Sequence, residues 1–281
     1  MVSNKLIFYG CLLLLAMLAI PMHAAQAPSA FNEAVKYHRA GKFKEAIAAY
    51  DRAIKADPKA AGAYVGRGSA LAKTGQYESA IKDYDEALRL NLNLADAYYL
   101  RGNAHNELKQ YAGAVKDYDE ALRRNPKFGE AYFNRGVAFY RLGQLERSIQ
   151  DFNQAQKINP KDPEVYAQRG MAQRRLGNHE QAVSDYSEAI KLNPKNAETF
   201  NNRANAYSLL GKYEQAVKDY DEAVKLDSKN GRIYANRGAI KLRQKKIEEA
   251  HKDFKTALQL DPTLKTRLEP LMAAQPSPGQ Q

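Results

Sequence analysis

The sequence predicts an all-α chain of seven consecutive helix–turn–helix repeats, closed by a short C-terminal capping helix. Three observations carry that reading. Small residues, rings and prolines return at a fixed period, with no insertion or deletion between copies. Each period holds two stretches of helical length, such as Glu164–Leu176 and Glu180–Leu192, split by Gly177-Asn178 and closed by Asn193-Pro194. A helix pair this short cannot cover its own apolar side, so it needs neighbours stacked against it, and the chain supplies them.

The repeating positions define the packing. A first-helix ring at Tyr166 returns as Tyr64, Tyr98, Tyr132, Phe200 and Tyr234. The small residue at Gly170 returns as Gly68, Gly102, Gly136 and Gly238, with Ala34 and Ala204 as the next smallest choice. On the second helix Ala182 and Ala189 flank Tyr186, and the ring column reads Tyr50, Tyr84, Tyr118, Phe152, Tyr186, Tyr220 and Phe254. Small residues mark where two helices touch, and rings fill the space beside them. Period and residue order resemble the tetratricopeptide repeat family over residues 27–264, with units beginning near Ala27, Ala61, Ala95, Gly129, Pro163, Ala197 and Gly231. The resemblance implies a right-handed α-solenoid whose first helices line a concave, peptide-binding side.

Along the chain, residues 1–25 stand outside the period. Lys5 is their only charge, and Leu6–Ile20 is an unbroken apolar run. That run is shorter than the roughly 20 residues a bilayer-spanning helix needs, and Pro21 with small residues after it reads as a secretory signal peptide. Without cleavage the same segment would be an N-terminal membrane anchor. Cys11 is the only cysteine, so a processed chain has no thiol, and the expected location is exported, periplasmic or secreted in a bacterium. A net charge of +11 favours acidic partners, although Lys and Glu alternate along most second helices and much of that charge is simply solvated.

The first repeat is atypical, with Glu33 where the next six carry Arg and Ala49 where they carry Asp. Lys109 and Lys245 replace the inter-helix Gly, an exchange costing about 1 kcal/mol each if that turn is left-handed. After Pro262, residues 265–272 are expected to cap the open end of repeat seven, with Pro270 ending or kinking that helix. Residues 273–281, rich in Pro and Gln, read as a disordered tail.

Where the family often has Leu before the small residue, this chain has Arg67, Arg101, Arg135, Arg169, Arg203 and Arg237. The same six repeats carry Asp83, Asp117, Asp151, Asp185, Asp219 and Asp253 before the second-helix ring. The first repeat lacks both. Joint absence points to one Arg–Asp pair inside each repeat, tying helix to helix, against the alternative of two separately solvated charges.

No catalytic constellation stands out, and neither a metal site nor a cofactor is expected. His38, His105, His179 and His251 lie in different repeats; His38 and His251 read as surface residues, His105 and His179 as packing residues. Glycines occur singly at crossings and turns, which leaves no phosphate-binding loop. Nucleic acid is an unlikely partner despite the charge, because the period leaves no room for a DNA-reading module.

By the resemblance, the first-helix inner face forms the binding groove. It begins with Tyr99, Asn103 and Asn106, then Phe133, Asn134, Val137, Tyr140 and Arg141. Gln168, Met171, Arg174 and Arg175 follow, then Asn201, Asn202, Asn205 and Asn236. Rings and Met would seat apolar side chains, Asn would hold a peptide backbone, and the three Arg would favour an acidic segment. The plainer reading puts the rings in the inter-repeat core. Asn103/Asn134 and Asn205/Asn236 resemble the carboxylate-clamp type of repeat, but Tyr99, Glu164, Gln168 and Asn201 stand where that type has Lys or Arg. The function expected is a non-catalytic exported scaffold that binds protein or peptide partners, with envelope complex assembly as one setting. The alternative is an accessory factor for an anionic envelope polymer, a polysaccharide or lipid.

Overall fold

The computed structural model describes residues 22–273, with side chains from Pro28 onward. The expected leader through Pro21 and the tail from Ala274 lie outside the described residues. The chain divides into two compact units, one up to Ala131 and one from Tyr132 on. Both are all-helical among the described residues, and both repeat the same two-helix motif.

The first unit holds α1 (Met22–Arg39), α2 (Phe43–Ala56), α3 (Ala61–Lys73), α4 (Tyr77–Leu90), α5 (Ala95–Glu107) and α6 (Tyr111–Arg124). Helix α7 (Gly129–Arg141) carries the boundary. The second unit continues with α8 (Leu145–Ile158), α9 (Pro163–Leu176), α10 (His179–Leu192), α11 (Ala197–Leu209), α12 (Tyr213–Leu226), α13 (Gly231–Arg243) and α14 (Ile247–Leu260). A 3-10 turn at Pro262–Leu264 then leads into α15 (Lys265–Ala273).

Each first helix lies on its second helix through the small-residue column. A Cβ added at Gly102 would stand 2.8 Å from the Tyr118 ring, and one at Gly170 would stand 2.9 Å from the Tyr186 ring. Those separations are below contact distance, so the ring takes the place a side chain would have filled. Tyr84, Tyr118, Phe152, Tyr186, Tyr220 and Phe254 are buried as a result. Burying one such aromatic contributes on the order of 2 kcal/mol.

The inter-helix corner is left-handed in every repeat. It is Gly at 41, 75, 143, 177 and 211, and the non-glycine residues Lys109 (φ +58°) and Lys245 (φ +63°) adopt it too. The next backbone N–H turns back to cap the helix, as Gln76 N–H donates to the Leu71 carbonyl at 2.9 Å and Gln110 N–H to that of His105 at 2.8 Å. Asn196 and Asn230 begin α11 and α13 by accepting from the backbone N–H of Thr199 and Arg232.

The two ends differ from expectation. Helix α1 begins at Met22 and carries Pro28 inside it, so it starts ahead of the repeat's first expected residue, Ala27. Pro270 does not end α15, because the helix continues to Ala273, the residue assigned from sequence to the tail. Proline removes just one N–H from a helix, and in nine residues few internal bonds depend on it. Leu264 and Leu268 pack into the core of Ala235, Phe254 and Ala257, with Leu271 beside them, so α15 covers the apolar end of α13 and α14.

Candidate functional site

The six repeat arginines frame everything else. Arg67 Nε and Nη2 donate to Asp83 at 2.8 and 2.6 Å, and Arg101 Nη2 reaches Asp117 at 2.6 Å. In the second unit Arg135 meets Asp151 at 2.7 Å, Arg203 meets Asp219 at 2.7 Å, and Arg237 meets Asp253 at 2.6 Å. Arg169 makes the same contact with Asp185. The carboxylates are nearly closed to solvent: Asp117 is 4% exposed and Asp219 6%. Burial raises the Asp185 carboxyl above the usual carboxylate range, and Arg169 offsets only part of that rise.

Sequence reasoning missed the other edge of five of these guanidiniums. Nη1 reaches the preceding repeat's second helix: Arg67 to Asp51 and Arg101 to Asp85, each at 2.6 Å, and Arg237 to Asp221 at 2.7 Å. Neutral acceptors stand in at Asn153 for Arg169 (2.7 Å) and Ser187 for Arg203 (3.0 Å). One side chain therefore ties its own two helices and the neighbouring repeat. A signal existed, since this position also returns once per repeat, and the terminal repeat, with no successor, has Lys255 there.

The inner face follows from helix contacts within each unit. Successive first helices touch one another, α1 with α3 and α3 with α5, then α9 with α11 and α11 with α13. The expected groove residues lie on the first helices α5, α7, α9, α11 and α13. In the first unit Tyr99 stacks on Phe128 at 4.6 Å between ring centres, and Asn103 accepts the Tyr118 hydroxyl at 2.8 Å. Asn106 is half-buried, with a buried carbonyl oxygen that accepts no hydrogen bond.

In the second unit the structure separates core from surface. Phe133, Val137 and Tyr140 pack on Phe152, Ala155, Val165 and Ala172, so these groove candidates serve largely as inter-repeat core. Met171 likewise packs on Ala182, Tyr186 and Ala206. Asn205 accepts the Tyr220 hydroxyl at 2.7 Å, and Asn236 donates to Asn201 at 3.1 Å. Asn205 and Asn236 thus have separate partners of their own. Asn134 is half-buried on α7.

Three arginines on this face differ from the framing six. Arg141 and Arg175 are exposed and Arg174 half-buried, and among the described residues none of the three has a carboxylate partner. Arg175 lies over the Tyr140 ring at 5.3 Å and donates to its backbone carbonyl. Arg174 faces two buried phenols. Burial pushes Tyr186 up to about 12 and also raises Tyr220, and the Arg174 charge opposes both shifts. A cation beside neutral hydroxyls keeps its attraction for an incoming anion.

The histidines require a correction. His38 packs edge-on against Phe43 at 5.4 Å, and burial lowers its pKa, so it is a neutral packing residue and not a surface one. His251 is also half-buried. His105 Nδ1 lies 2.6 Å from Gln110 Oε1. Among the described residues no group of three His, Cys, Asp or Glu is placed to hold a metal ion. Nor is any described helix long and apolar enough to cross a membrane.

Comparison with known proteins extends this picture. The family model of the Cilia and flagella-associated protein 70 C-terminal domain, of tetratricopeptide-repeat type, matches residues 22–269. Among solved structures, YrrB, described as a TPR protein with an unusual peptide-binding site, is 25% identical with a TM-score of 0.59. That match covers 70% of this chain and 97% of YrrB. A tetratricopeptide repeat protein from Parabacteroides merdae is 22% identical with a TM-score of 0.66, covering 88% of this chain and 99% of that one. The C-terminal part of a TPR repeat-containing protein from Cytophaga hutchinsonii is 20% identical with a TM-score of 0.71, covering 86% and 99%. The last two speak for the fold alone. No curated protein matches.

Proposed function

The chain belongs to the tetratricopeptide-repeat family, and on that premise we propose that it is a non-catalytic scaffold binding a protein partner along its first-helix face. The observation that carries this reading is the set of Arg141, Arg174 and Arg175, basic groups without a carboxylate partner among the described residues. Every framing arginine is neutralised by a buried aspartate, so three unneutralised ones on one side mark where an acidic segment would be received. The peptide-binding site named for YrrB supports a peptide as the ligand class. The apolar segment Leu6–Ile20 supports export, with envelope complexes as the setting.

Pull-down from envelope extract with the native chain and an Arg141→Glu/Arg174→Glu/Arg175→Glu variant tests the proposal. The native chain is expected to retain a protein partner that the variant loses. Recovery of a polysaccharide or lipid with no protein would overturn it in favour of an accessory factor for an anionic polymer, the reading that the net charge of +11 also accommodates. Cell fractionation and N-terminal sequencing of the full chain test export; an intact N-terminus in the cytoplasmic fraction would reject it.

A further inference from the structure

Neighbouring first helices of the second unit lie side by side in one register. Asn236 of α13 donates to Asn201 of α11, and Arg175 of α9 donates to the Tyr140 carbonyl of α7, each bond joining residues 35 apart. Helices α9 and α11 touch as well. The C-terminal ends of α7, α9, α11 and α13 therefore form a row, which reads Arg141, Arg175, Leu209 and Arg243 at equivalent repeat positions. All four side chains are exposed, and the three arginines have no carboxylate partner among the described residues. Leu209 is 56% exposed, more than any other large apolar side chain described in the second unit. The same register sets it against the position of Arg174 in α9.

A lone exposed leucine is ordinary on a protein surface. This one interrupts a line of arginines on the face argued above to take an acidic segment. A guanidinium in that place would receive a carboxylate, whereas leucine offers apolar surface against which a carboxylate loses water and gains no partner. We propose that Leu209 is the specificity residue of this face: it receives an apolar side chain of the partner segment, and Arg175 and Arg243 receive acidic side chains on either side. The inference rests on the first-helix face being the one that takes an acidic segment.

Spacing sets the order of those side chains. Packed helix axes stand about 8–10 Å apart, so the row advances by about that much per repeat. A polyproline-II chain turns once in about 3 residues and rises about 9 Å in doing so, which returns every third side chain to one face. A segment in that form meets Arg141, Arg175, Leu209 and Arg243 with its residues i, i+3, i+6 and i+9, in one chain direction or the other. Its pattern is acidic-x-x-acidic-x-x-apolar-x-x-acidic. The row is also built of helix ends, whose last carbonyls have no partner inside the helix. An extended segment has free backbone N–H groups to give them, and a helical one has spent its own.

Fluorescence anisotropy with the full chain and dye-labelled peptides tests this. The peptides EQSEQSLQSE and ESQLSQESQE carry the pattern in the two directions. One control replaces the Leu by Ser, and a second, EEELQSQSQS, keeps the composition with the acids bunched. The better-bound direction is expected to bind about tenfold tighter than either control. Leu209→Ser brings the patterned peptide and its Ser control within a factor of two, while both remain bound. Leu209→Arg, which completes the arginine row, turns the preference toward the peptide with Glu in place of that Leu. Equal affinities of the Leu and Ser peptides for the native chain would overturn the proposal and leave an acidic-segment reader standing. So would a Leu preference that Leu209→Ser leaves in place, or tighter binding of the bunched peptide. If the same peptides with Gln at every Glu bind as well as the acidic ones, the acidic-segment reading fails, and this inference with it.

Discussion

At the residue scale, the arginine that bridges three helices decides how firmly a repeat is held. Asp219 is buried, and Arg203 satisfies both of its oxygens while its outer edge meets only the neutral Ser187. This pair is therefore the cleanest place to measure the contact. Arg203→Ala and Asp219→Ala should each lower the unfolding free energy by about 3 kcal/mol, because each strands a buried charge. The double variant should lose clearly less than the sum, and additive losses in urea denaturation would reject the coupling. The buried phenols set a second expectation. Burial raises Tyr186 from near 10 to about 12, so between those values the unfolded chain releases its proton first. Stability present below pH 10 should then fall as pH rises toward 12, and Tyr186→Phe should flatten that fall in urea midpoints taken across the window. The Arg–Asp columns were legible because the first repeat lacks both residues. The second carboxylate column, Asp51, Asp85 and Asp221, is broken by Asn153 and Ser187, and it sits among other acidic residues on the second helices. Only Lys255 of the last repeat sets the bridging position apart from a solvated one.

At the element scale, the corner between helices is the local weak point. Lys109 holds φ +58° at a place where five other repeats have Gly, and an exposed side chain there carries the left-handed penalty. Lys109→Gly should raise stability by about 1 kcal/mol, read as a shift of the urea midpoint, and an unchanged or lower midpoint would show the side chain has a compensating contact. Corners and helix starts were readable because Gly, Asn and Pro mark them chemically. The ends were less so. Helix α1 continues through Pro28, and α15 through Pro270, since a proline near a helix end removes an N–H that the first turn leaves unpaired, or just one internal bond.

At the scale of the whole molecule, fold and function were unequally written. An unbroken repeat period dictates where every described helix pair lies, because packing must satisfy the same contacts in each copy. The inner face was harder to read: Phe133, Val137 and Tyr140 share one helix face by their spacing, and only burial distinguishes a groove wall from inter-repeat core. The most direct measurement is in-cell photo-crosslinking from two positions of the second unit, each replaced by p-benzoylphenylalanine: Asn202 on first helix α11 and the exposed Lys218 on second helix α12. A partner received by the first-helix face gives one discrete protein adduct from Asn202 and none from Lys218. Adducts from Lys218 with none from Asn202 would contradict it.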